Sequence, residues 1–92
     1  MGQETVLFKS KERKGRQEIA DFLHQLADKI AAGNLILRQG QEEVNLEIPD
    51  NLILEVEVED EHKSKKGVRR QLEIEIKWYD NEDKSGLTIA GE

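Results

Sequence analysis

"IAAGNLILRQ", residues 30–39, is where the periodicity of the chain changes and the fold class is decided. Upstream of it, apolar residues recur three and four positions apart. Downstream, they recur every second position. Ile19, Phe22, Leu23, Leu26 and Ile30 line up on one face of a helix over 16–32, because 3.6 residues per turn brings positions i, i+3, i+4 and i+7 together. Ala20, Ala27, Ala31 and Ala32 favour the same helix and permit close approach. Gly33 and Asn34 both tolerate the left-handed conformation that ends helices, so the helix is expected to stop there. At the other end Gly15 takes the N-cap position with Glu18 three residues on. That is half of a capping box, since glycine has no side chain to complete it.

From Leu35 onward the alternation predicts four strands. Leu35 and Leu37 share one face. "EVNLEIP" (43–49) adds Val44, Leu46 and Ile48; "NLILEVEVE" (51–59) adds Leu52, Leu54, Val56 and Val58; "RQLEIEIKWY" (70–79) adds Leu72, Ile74, Ile76 and Trp78. Gly40-Gln41 reads as a two-residue hairpin turn with glycine first, Pro49-Asp50-Asn51 as a three-residue turn, and "EDEHKSKKG" (59–67) as a longer charged one. These turns suggest a four-strand antiparallel meander. Leu37 would pair with Val44, Ile48 with Leu52, and Val56 with Leu72, leaving one face apolar throughout for the helix to cover. Upstream of the helix, Val6, Leu7 and Phe8 in "ETVLFKSK" predict one more strand at a sheet edge. The expected architecture is α+β, in the order β-α-β-β-β-β, as a single domain over 1–80 with a polar, disordered tail over 81–92. Trp78 continues the inward series and is expected to fill the core near a sheet end, its indole N–H needing a partner there. Tyr79 falls on the open face.

Ninety-two residues make one small domain. No cysteine is present, which excludes disulfides and thiolate metal sites. The opening residues have no apolar run of the kind that targets secretion, and no segment approaches the ~18 apolar residues of a membrane span. A soluble cytoplasmic protein is expected. The formal net charge of −6 hides a pattern. Residues 1–16 carry five cations against two acids, and residues 62–70 carry five against none; everything else sums to −14. Ten of the fourteen Lys and Arg therefore sit in two short stretches.

Taken in order, "EIADFLHQLADKIAAGNLILRQGQEEVNLEIP" (18–49) and "LEIEIKW" (72–78) resemble the amphi-Trp domain, a small prokaryotic family, over residues 5–79. Gly15 departs from the hydroxyl N-cap expected of such a helix. The resemblance implies an α+β fold. It implies no established activity, so no catalytic residue is carried over.

Two surfaces are candidates for binding. The open face of the predicted sheet is acidic, and Glu55, Glu57, Glu73, Glu75 and Tyr79 are its candidate contacts for a basic protein partner. In the predicted register Glu55 faces Glu73, a like-charge pair that costs stability, while Arg38 opposite Glu43 and Arg69 near Glu59 offset part of it. The second candidate is a basic pole. With strand 1, helix and strand 2 running up, down and up, both basic stretches would reach one end of the domain with the helix N-terminus. Its candidate anion contacts are Lys11, Lys14, Arg16, Lys65, Lys66, Arg69 and Arg70. Nucleic acid is the natural ligand of such a pole, but no aromatics interleave with the cations to stack bases, so the contact would be weak. An unidentified protein partner, docking on the acidic face or on an edge strand, is the first expectation, with the chain a monomer. His24, His62, Ser10, Ser64 and Ser85 form no nucleophile–base pattern, and no loop gathers carboxylates as a calcium site does. No enzyme, cofactor or metal site is expected. The helix's polar face (Glu18, Asp21, Gln25, Asp28) argues against an anionic membrane.

Overall fold

The structure, a computed structural model, describes residues 2–80. Helix α1 spans Arg16–Ala32, and four strands follow: β1 (Asn34–Gln39), β2 (Glu42–Glu47), β3 (Ile53–Lys63) and β4 (Gly67–Lys77). One helix and four antiparallel strands make the chain α+β, as the change of period predicts. The residues divide into two compact units at the Asp50–Asn51 junction. The predicted tail over 81–92 lies outside the described residues.

In the first unit α1 starts as its sequence suggests. The Gly15 amide donates to Glu18 Oε1 at 3.0 Å, which satisfies one donor that the helix leaves unpaired. At the other end Gly33 takes φ +86°, and its amide donates to the Lys29 and Ile30 carbonyls, each at 3.0 Å. Glycine accepts that conformation without the steric cost of a Cβ. The strand begins at the next residue, so no loop intervenes between α1 and β1. β1 and β2 pair with Leu37 opposite Val44 and Leu35 opposite Leu46, the predicted register. Gly40 at φ +60° occupies the first central position of their two-residue turn. α1 packs on β1. Leu35, 8% exposed, is the buried hydrophobic residue at that contact, with Leu26, Ile30 and Leu37 half-buried.

The second unit is the β3–β4 hairpin, eleven residues in each strand. The chain turns through Ser64, Lys65 and Lys66. The Lys66 amide donates to the Lys63 carbonyl at 3.2 Å, and Gly67 takes φ +85°. This is a three-residue hairpin loop followed by a left-handed glycine that opens β4.

Four details differ from the sequence expectations. Residues 5–8 form no strand; Val6 and Leu7 are about seven-tenths exposed and only Phe8 is half-buried. Three apolar residues between charged neighbours offer little burial to offset the cost of ordering a strand. The strands pair as two two-stranded sheets, β1–β2 and β3–β4, rather than as one meander. Pro49 has no amide to donate, and the Ile48 amide bonds the Gly33 carbonyl at 2.8 Å, extending the first hairpin instead of turning into β3. The β3–β4 register is displaced by two residues: Val56 pairs with Ile74, and Val58 with Leu72. Finally, Trp78 lies just past the end of β4 and is half-buried, while Leu72 and Ile74 of the supposed inward series are more than half exposed.

Candidate functional site

Strand alternation sorts the hairpin's side chains into two faces. The odd-numbered face carries Glu55, Glu57, Glu59, Glu61, Arg69, Gln71, Glu73, Glu75 and Lys77. It brings together the four predicted acidic contacts, but with new partners: Glu55 stands opposite Glu75, and Glu57 opposite Glu73. The expected Glu55–Glu73 pair is thereby corrected. Tyr79 follows β4 and is 71% exposed.

The two acidic pairs are not equivalent. Lys77 lies among the first: its ammonium is 2.6 Å from Glu55 Oε1 and 3.5 Å from Glu75 Oε1. The hydrogen bond and charge of Glu55, with a smaller contribution from Glu75, hold the Lys77 ammonium above its ordinary pKa. The second pair has no such cation. Glu57, Glu59 and Glu73 present carboxylate oxygens within 4.8 Å of one another, and among the described residues none of the three is in an ion pair within 4 Å. Glu73 accepts a hydrogen bond from Gln71 Nε2 at 2.7 Å. Carboxylates directly opposite one another across a ladder destabilise it by a few tenths to about 1 kcal/mol. Three single oxygens on an open strand face also fall short of the six to eight that calcium takes.

The even-numbered face is apolar over Leu54–Ile76, Val56–Ile74 and Val58–Leu72, and then ends in an Asp60–Arg70 ion pair. Arg70 Nε donates to Asp60 Oδ1 at 2.8 Å and Nη2 to Oδ2 at 3.0 Å, a forked arrangement that suits a guanidinium. Arg70 holds the Asp60 carboxyl below its usual range and is itself raised in turn. The sign of the pH effect follows. Because the folded pKa of Asp60 is depressed, the stabilisation is complete above the ordinary carboxylate pKa and is lost as pH falls through the folded value. In a carboxyl-detected NMR titration Asp60 is expected to protonate below the ordinary aspartate range, and Arg70→Ala is expected to move that midpoint upward. An unmoved midpoint would show that the pair does not persist in solution.

The basic candidates fall in both units. Lys11 lies in the segment before α1, Lys14 stands 3.7 Å from Glu12, and Arg16 is the first residue of α1. Lys65 and Lys66 sit in the hairpin turn. Arg69 reaches Glu61 at 2.6 Å on the odd face, not Glu59 as expected, and Arg70 is engaged on the even face. Lys65 and Lys66 have no carboxylate within 4 Å among the described residues. The pole deduced from topology assumed a single sheet that includes residues 5–8; with two separate sheets that deduction lapses, and each basic stretch belongs to its own unit. The ion pair at the end of the apolar face was not foreseen from the sequence. Its signal was present in the parity of Asp60 and Arg70, which matches that of Val58 and Leu72 once the turn is placed at Lys65.

Among the described residues no helix is long and apolar enough to cross a membrane. A family model, that of the Amphi-Trp domain, matches residues 1–90. No curated protein and no solved structure matches the chain.

Proposed function

This chain belongs to the Amphi-Trp domain family, and from that premise together with the hairpin's charge geometry we propose a protein-interaction domain without catalytic activity. Its odd-numbered β3–β4 face would dock a lysine- or arginine-rich segment of a partner. The observation that carries this is the triplet Glu57, Glu59 and Glu73, crowded within 4.8 Å without a cation from the described residues. A basic partner side chain would do there what Lys77 does for Glu55 and Glu75. Among the described residues each strand of a two-stranded sheet also keeps one edge without a paired strand, so an extended segment could add its backbone to the ladder while its cations meet the carboxylates. Tyr79 supplies an exposed aromatic next to that face. The lack of cysteine is compatible with a cytoplasmic domain.

The anion-binding alternative, on Lys11, Lys14, Arg16, Lys65, Lys66, Arg69 and Arg70, draws on fewer available cations, since Arg69 and Arg70 already hold carboxylates. The same experiment tests both readings. A fluorescent oligolysine peptide and a fluorescent oligothymidine are titrated with the protein at low and physiological salt. Peptide binding is expected, salt-sensitive, and weakened about tenfold by Glu57→Gln combined with Glu73→Gln. Peptide affinity unchanged by that double substitution would remove the acidic face from consideration. Oligothymidine binding that Lys65→Ala with Lys66→Ala abolishes would shift the function to the turn.

A further inference from the structure

The even-numbered face of the hairpin takes no part in that docking. We propose that it is a self-association surface on which two copies of the chain pair face to face, about a two-fold axis parallel to the strands. The proposal is independent of the acidic face, which lies on the other side of the same strands.

Leu54, Val56, Val58, Leu72 and Ile74 are between 53% and 66% exposed. At roughly 100 Å² each they form a strip on the order of 500 Å², at the upper end of what a soluble monomer shows in one patch. A two-stranded hairpin is marginal in water until its apolar face is covered.

The arrangement of charge is self-complementary and so fits a second copy as the cover. Residues paired across the hairpin lie at the same level along it. A two-fold axis parallel to the strands therefore sets each β3 residue over the β4 residue of the other copy at that level. Leu54 meets the second copy's Ile76, Val56 its Ile74 and Val58 its Leu72. At the next level each Asp60 meets the second copy's Arg70, so the two existing ion pairs close into a ring of four alternating charges. An axis perpendicular to the strands would instead lay each ion pair over the apolar Leu54–Ile76 end, removing water from charge without supplying a partner. Both faces are aliphatic, and aligned two-sheet packing sets such faces about 10 Å apart. With Ile76, the ion pair and the His62–Val68 level at the rim, each copy would bury on the order of 800 Å², the area of a standard specific interface.

The full native chain is tested first, by sedimentation equilibrium from micromolar to near-millimolar concentration. A concentration-dependent rise towards twice the monomer mass of 10.6 kDa is expected; a mass that stays monomeric throughout overturns the proposal. Isotope-filtered NMR on a mixture of labelled and unlabelled chain locates the contact. Methyl contacts from Val56 to Ile74 and from Val58 to Leu72 are expected between copies, and a dimer without them overturns the assignment of this face. The axis is tested with Asp60→Arg and Arg70→Asp. Each alone places like charges in the ring and is expected to weaken its own dimer at least about tenfold. Mixed one to one, the two variants are expected to form a heterodimer of near-native affinity, because each copy then supplies the sign the other lacks. Loss of self-association without rescue on mixing overturns the parallel two-fold arrangement.

Discussion

Leu35→Ala is expected to cost the first unit about 2–4 kcal/mol, the range of large-to-small substitutions at buried leucines. Leu35 is the buried hydrophobic residue among those described, 8% exposed, and it lies on β1 where α1 packs and opposite Leu46 of β2. Its removal withdraws a contact from the helix and the ladder together. Ile36 is the internal control. It is adjacent in sequence, points to the other face of β1 and is 48% exposed. Ile36→Ala is expected to cost less than about 1 kcal/mol, since half of its surface is already in water. Urea unfolding followed by helix ellipticity measures both. Equal effects at Leu35 and Ile36 would mean that α1 does not rest on the Leu35 face.

The second large effect is expected at Gly33. Its φ of +86° lies in the left-handed region, which costs an L-residue roughly 1–2 kcal/mol. A Cβ added there would meet the Ile48 carbonyl oxygen at 3.6 Å, an ordinary contact, so the penalty is one of backbone conformation and not of collision. Gly33→Ala is accordingly expected to destabilise by that amount. D-alanine at the same position, introduced by chemical ligation, favours positive φ and is expected to cost little or to stabilise. If both enantiomers destabilise equally, contact with Ile48 and not conformation governs the site.

How much of this could be read in advance depended on what each segment leaves undetermined. The helix was legible because a five-residue stripe and a glycine stop agree. The β1–β2 register was legible because Gly40-Gln41 leaves only one way to close a two-residue turn. The β3–β4 register was not. Glu59 to Gly67 offers no apolar residue to mark where the strands end, and a slip of two residues keeps every side chain on its face. The two faces were therefore predicted correctly while every cross-strand partner was displaced. That is why Glu55, Glu57, Glu73 and Glu75 were recognised as one surface but matched wrongly, and why Arg69 and Arg70 were counted as available cations. A register centred on Lys65 reveals both as engaged with Glu61 and Asp60. The joining of all strands into one sheet failed at Pro49, where alternation continues on both sides of a residue that cannot donate a hydrogen bond.

The direct passage from α1 into β1 has a kinetic consequence. With Gly33 as the hinge between helix and hairpin, and with turns of two and three residues closing the two ladders, the element contacts within each unit join elements that follow one another in the chain. The loops to be closed are short, helices and hairpins form in about 0.1–10 μs, and contacts between neighbouring elements favour fast folding. A chain assembled this way can reach secondary structure in each unit without waiting for a distant segment to arrive.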